Sequence, residues 1–206
     1  MKISKVEEYT KKERKHIIDD LVKLHISAFP SFFLTSMGKG FLQQLYFGFS
    51  EQPNGILLIA EDNGNAIGFA AGTIDPDKFF KTLLRTQGLR FAISTIPGLL
   101  RNPVFVIRKC VGALFYRGET PSEIPNAALL SSLAVAPSSA GKGIGQLLVK
   151  RFCEDVRKQG CKSVYLTTDE AENENANRFY AKCGFILLDT IERAGNRTMN
   201  RWVMKL

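Results

Sequence analysis

The chain has 206 residues, 45% of them hydrophobic, and carries a net charge of +8 at pH 7. That length fits one domain, residues 1–206, and the apolar content is enough for a packed core, which excludes a disordered chain. No apolar run reaches the ~20 residues of a membrane span, and the N-terminus, MKISKVEEYTKKERK, is too charged for a signal peptide.

Residues 2–7 read as a short first strand. Thr10 followed by Glu13 makes a capping box. Ile17, Ile18, Leu21, Val22 and Leu24 then form an apolar helical stripe that ends near Pro30. A second helix is predicted from about Thr35 to Phe49, with Met37, Phe41, Leu45 and Phe49 on one face and Gly38, Gly40 and Gly48 weakening it. Gly55–Glu61 reads as a buried strand, Asp62-Asn63-Gly64-Asn65 as a hairpin turn, and Ala66–Ile74 as its partner.

Residues 77–121 form a basic insertion. Gly88, Pro97, Gly98, Pro103 and Gly112 interrupt an amphipathic pattern, which predicts two or three short helices. From Lys78 to Arg117 it carries Lys78, Lys81, Arg85, Arg90, Arg101, Arg108, Lys109 and Arg117 without one Asp or Glu. Those eight equal the whole excess of 28 basic over 20 acidic residues, so the basicity is local. It suits either a solvated cap or a surface for anions.

A core strand, Ala127–Val135, follows. Ala140, Gly141, Lys142, Gly143, Ile144 and Gly145 come next, and Ile144, Leu148, Phe152 and Val156 then recur every four residues to Gly160. The pattern is strand, glycine loop, helix. Its first helical N–H groups lack partners and the helix dipole is positive there, so the junction suits phosphate. The alternative is a plain strand-to-helix turn with glycines for packing. The G-x-G-x-G spacing is neither a dinucleotide fingerprint nor a P-loop. Ser163–Thr168 is the next strand, 173–183 a helix, and Phe185–Arg193 with Thr198–Met204 a closing hairpin around Gly195-Asn196.

Two blocks carry a resemblance. Val135, Pro137, Gly141, Gly143, Ile144, Gly145 and Leu148 match V-x-P-x-x-R/Q-G-x-G-I/V-G-x-x-L, with Ala140 where Arg or Gln is usual. Asn173, Ala176, Phe179, Tyr180, Gly184 and Phe185 match N-x-x-A-x-x-F-Y-x-x-x-G-F. In order and separation these resemble motifs A and B of the GNAT superfamily of acyl-CoA-dependent N-acyltransferases.

The resemblance implies a mixed α/β fold: a mostly antiparallel twisted sheet of about seven strands, flanked by helices, with the insertion before the core strand. It implies acetyl-CoA as co-substrate and no metal. The loop backbone from Ala140 to Gly145 would hold the pyrophosphate, and the backbone of Leu133, Ala134 and Val135 would pair with the pantetheine arm. Asn173 reads as a helix cap, and the resemblance has it touch that arm as well. Tyr180 reads either as a core anchor or as the acid that protonates the departing thiolate, the role the resemblance implies.

The core strand holds no carboxylate to serve as base. Ser131 and Ser132 would order a water, and His25, Glu123 and Asp169 are loose candidates. The expected acceptor is a small amine, and the basic insertion suits an anionic one such as a nucleotide-linked aminosugar. A protein lysine or N-terminal amine is the alternative. A non-catalytic CoA- or nucleic-acid-binding module ranks last, because the insertion has no nucleic-acid signature. A monomer or homodimer is expected, and the insertion is compatible with peripheral membrane contact. The four cysteines, Cys110, Cys153, Cys161 and Cys183, form no C-x-x-C pair and no zinc spacing, which reads as reduced thiols in a cytoplasmic protein.

Overall fold

The computed structural model describes residues 1–30, 32–101, 123–171, 173–193 and 197–206. Strand β1 (Lys2–Lys5) leads through a short turn into helix α1 (Lys11–Ala28). The capping box forms: the Glu13 amide donates to Thr10 Oγ1 at 3.4 Å, and the Thr10 amide donates to the Glu13 carboxylate at 2.8 Å. Ile17, Ile18, Leu21, Val22 and Leu24 are all buried, as their spacing predicts.

The single helix expected over Thr35–Phe49 is instead two, α2 (Phe33–Ser36) and α3 (Lys39–Glu51). Gly38 lies between them at φ 95°, an angle outside any right-handed helix. The restart changes the buried face of α3, which turns Leu42, Leu45, Tyr46 and Phe49 inward and leaves Phe41 half-buried.

Strands β2 (Gly55–Asp62) and β3 (Asn65–Thr73) pair antiparallel about Asn63 and Gly64, both at positive φ, as the hairpin signal predicts. The insertion departs from expectation. Its described part is one helix, α4 (Pro76–Arg101), which runs through Gly88, Pro97 and Gly98. A helical glycine costs only about 1 kcal/mol, and packing outweighs it here. Phe49 stacks on Phe79 at 4.6 Å and Phe41 meets Phe91 at 5.0 Å, so α4 lies antiparallel along α3 on both sides of Gly88. The rest of the insertion, with Arg108, Lys109, Cys110 and Arg117, lies outside the described residues.

The remaining elements are β4 (Ala127–Val135), α5 (Ile144–Lys158), β5 (Ser163–Asp169), α6 (Glu174–Lys182), β6 (Ile186–Arg193) and β7 (Arg197–Lys205). The hairpin turn expected at Gly195-Asn196 lies outside the described residues. The seven strands make one sheet in the order β1-β2-β3-β4-β5-β7-β6. All neighbours are antiparallel except β4 and β5.

α1 and α3 cover one face of the sheet, with Leu57, Ile59, Phe69, Ala71 and Ala134 beneath them. α5 covers the other, its Ile144, Leu148, Phe152 and Val156 packed on Ile56, Leu58, Ala70 and Leu130. Gly72 is what lets α5 close down. A Cβ there would sit 2.2 Å from the Leu129 carbonyl oxygen and 2.5 Å from the Phe152 ring. Among the described residues, no helix is long and apolar enough to cross a membrane.

Candidate active site

The site begins where two parallel strands part. β4 pairs with β5 only at Ala127, Ala128 and Leu129. From Leu130 to Val135 its edge toward β5 makes no strand pairing, although its other edge stays paired with β3 as far as Val135. The same strand slips register there. Ser132 pairs with Ala71 but Leu130 with Gly72, so Ser131 is an extra residue, a bulge that bends the strand. The result is a wedge whose β4 wall has no strand partner among the described residues. Leu133, Ala134 and Val135 form its outer stretch.

The wedge opens toward the glycine loop. Gly141 and Gly143 both take left-handed backbone angles, φ 76° and 75°. Gly143 is the N-cap of α5 and supplies no side-chain cap, so the first amides of α5 keep their hydrogen-bonding capacity. Lys142 is exposed beside them. Ala140 closes the preceding turn, its amide donating to the Pro137 carbonyl at 3.2 Å. Gly145 has a packing duty as well, because a Cβ there would lie 3.0 Å from the ring of Phe179. That contact ties the start of α5 to α6.

Helix α6 brings in Tyr180. Its ring meets Phe179 at 5.1 Å and Phe185 at 5.7 Å, both edge-on, and the side chain is half-buried. Burial, with a smaller push from Cys183, raises the phenol well above its ordinary pKa, so it holds its proton through the neutral range. Thr168 fixes the helix to β5, donating to Asn177 Oδ1 at 2.6 Å while accepting from Trp202 Nε1 at 3.0 Å. Asn173 is the N-cap of α6, yet its side chain makes no capping bond, so that amide is left for another partner.

Residues 97–185 match the family model described as acetyltransferase (GNAT) family. By that match the chain carries a GNAT acetyltransferase domain over those residues. It is thereby an acyltransferase. The fold is similar to that of the ribosomal-protein-alanine N-acetyltransferase from Brucella melitensis, with TM-score 0.63, 14% identity and 100% of each chain covered. It is also similar to aminoglycoside 6'-acetyltransferase type Ii, with TM-score 0.62, 16% identity and 100% of this chain and 97% of that one covered. An aminoglycoside 6'-N-acetyltransferase in complex with coenzyme A gives TM-score 0.61 at 14% identity, over 100% of this chain and 97% of that one. At such identities the likeness is one of fold. No curated protein matches the chain in sequence.

The candidate bases are sorted by place. Glu123 precedes β4 and is exposed, at the closed end of the wedge. Asp169 ends β5 at the open end, but both its oxygens are taken by Arg197, one at 2.7 Å from Nη2. His25 is fully buried under the sheet, with Nδ1 2.6 Å from the Tyr46 hydroxyl. Burial lowers its pKa to about 4, so it is neutral at physiological pH. Ser132 is buried in polar contact with Tyr46, and Ser131 is half-buried. Sequence reasoning missed Tyr46. Its helical spacing marks a core aromatic, and nothing local shows that its hydroxyl joins His25 to β4.

Among the described residues no group of three His, Cys, Asp or Glu side chains is placed to hold a metal ion. Cys153, Cys161 and Cys183 are free thiols. Burial pushes Cys153 up to about 12 and raises Cys161 and Cys183, which favours the protonated thiol in each.

Proposed function

We propose that this single domain transfers an acetyl group from acetyl-CoA to the primary amine of a small acceptor by direct attack on the thioester. The observation that carries the reading is the wedge: an unpaired β4 edge that runs into a glycine loop and an uncapped helix start. An extended amide-bearing arm fits the first, and a pyrophosphate fits the second. The Leu133–Val135 backbone would pair with the arm. The amides from Ala140 to Gly145 would hold the phosphates, with Lys142 adding positive charge and Asn173 reaching the arm from α6.

In the chemical step the amine nitrogen forms a bond to the thioester carbon as the carbon–sulfur bond breaks. Tyr180 supplies the proton that leaves CoA as a thiol, and the nitrogen gives up one proton in exchange. A phenol held protonated by burial suits that duty.

Lys78, Lys81, Arg85 and Arg90 on α4 are exposed. Because α4 lies along α3, these charges act on the acceptor through the field rather than by contact, and they favour an anionic amine. The test is thiol release from acetyl-CoA across aminosugars, nucleotide-linked aminosugars, polyamines, amino acids and peptides, at low and moderate salt. The expected best acceptor is a small anionic amine whose Michaelis constant rises with salt. Release with no amine in the panel would sink the reading, and a peptide as best substrate would replace the small acceptor with a protein one.

A further inference from the structure

His25 is a buried polar side chain on the face of the sheet under α1 and α3. His25 is enclosed by Phe29, Tyr46 and Phe69, with ring centroids at 5.0, 5.8 and 6.4 Å. Both ring nitrogens are buried, and Nε2 has no hydrogen-bond partner. An orphaned buried polar atom is costly, and an apolar side chain of similar shape would avoid the cost. A purely structural position in such an aromatic nest therefore favours Phe or Leu. What histidine adds is Nδ1, 2.6 Å from Tyr46 Oη.

Tyr46 connects that nitrogen to the wedge. Its hydroxyl also meets the Ser132 side chain, a polar contact that favours the charged form of the phenol. Ser132 is the first residue past the bulge in β4. Before the bulge, Ala128 and Leu130 face α5; after it, Leu133 and Val135 do, and Ala134 faces α1 and α3. The extra residue at Ser131 is what turns Ser132 away from α5 and toward Tyr46.

A proton on the buried imidazole is about a thousandfold disfavoured at pH 7, given its pKa of about 4. That magnitude rules His25 out as the store for the amine's proton and leaves a geometric duty. We infer that Ser132, Tyr46 and His25 are positioning residues, a buried chain from α1 through α3 that locks the slipped segment of β4 and so sets the wedge where the thioester is attacked. The inference rests on the acetyl-CoA reading above.

The experiment compares the parent with Tyr46→Phe, His25→Leu and His25→Asn, the last keeping a hydrogen-bonding atom near the place of Nδ1; Ser132→Ala stands in if Tyr46→Phe fails to fold. CoA affinity should stay within about threefold, since the phosphate loop is untouched. The turnover number should fall about tenfold or more in Tyr46→Phe and His25→Leu. His25→Asn should recover most of it, and the melting temperature of His25→Leu should not drop. Amide exchange at residues 131–135 should quicken about tenfold in Tyr46→Phe, with β6 and β7 unchanged. Full turnover in His25→Leu, or unchanged exchange in β4, would overturn the chain's role. A parent that binds no CoA would instead overturn the acetyl-CoA reading itself, and the exchange measurement would still judge the lock.

Discussion

The two faces of the sheet at β4 are built on different principles. The α5 face is dry: Ile144, Leu148, Phe152 and Val156 meet apolar side chains, and the tolerance is so tight that β3 needs glycine at position 72. The α1/α3 face buries a polar chain, His25 to Tyr46 to Ser132, inside an otherwise aromatic nest. Close packing gives rigidity without direction, whereas hydrogen bonds fix one arrangement of a strand among several of similar density. The difference teaches that the dry face holds the glycine loop and the start of α5 in place, while the polar face is the one we propose to set the shape of β4 past its bulge.

The largest effect expected from this contrast is one of pH. The folded chain keeps His25 neutral down to about pH 4, whereas an unfolded histidine takes up a proton near 6.5. Between those values the unfolded state binds more protons, so stability falls as pH drops from about 6.5 to about 4, by up to about 3 kcal/mol. Among its ring neighbours Phe29, Tyr46 and Phe69, only Tyr46 titrates, and burial raises it further from that window. Urea midpoints at pH 7 and pH 5 should therefore differ less in His25→Asn than in the parent. Equal slopes in the two proteins would erase the electrostatic side of the contrast.

Next comes the chemistry. Tyr180→Phe keeps the edge-on contacts to Phe179 and Phe185 and removes only the hydroxyl. Turnover at saturating substrates should fall on the order of a hundredfold, with CoA affinity little changed. An unaltered turnover number would return Tyr180 to the role of a packed anchor.

The dry face is tested by Gly72→Ala. Its Cβ would meet backbone oxygen at 2.2 Å as well as the Phe152 ring, so neither neighbour yields cheaply. The expected loss is about 2 kcal/mol in urea unfolding. A loss near zero would mean that α5 is loosely seated and that the face is not rigid.

The smallest effect is expected at the loop. Gly143→Val forces a branched residue to φ 75° and places bulk where a phosphate would approach. CoA affinity by calorimetry should weaken about tenfold. Parent-like binding would move the phosphate site elsewhere.

Much of this was legible in the sequence because it is written in local terms. The four-residue recurrence of Ile144, Leu148, Phe152 and Val156, and the turn residues Asn63 and Gly64, state their structure within a few positions. The two motif blocks carry the family resemblance in residue identity and spacing alone. Where sequence reasoning failed, a distant contact decides. Gly88, Pro97 and Gly98 read as breaks in α4, but Phe79 and Phe91 anchor the helix to Phe49 and Phe41 of α3 and carry it through. Tyr46 was invisible as a polar residue, since its partners lie 21 positions before it and far beyond it in the chain. Asp169 looked available as a base because nothing in its neighbourhood announces Arg197.

The three rungs between β4 and β5 have a consequence for how the molecule holds together as a cooperative unit. Strands β1 to β4 form one antiparallel block and β5 to β7 another, and only that short parallel ladder joins them edge to edge. α5 leans across the joint, touching β3, β4 and β5. Parallel pairing waits on a long crossover, so this seam closes late in folding and opens early in local unfolding. A ligand laid along it bridges the blocks and binds only the closed form. Substrate would then act as a structural rung, raising stability with the logarithm of its concentration and making the two blocks melt as one.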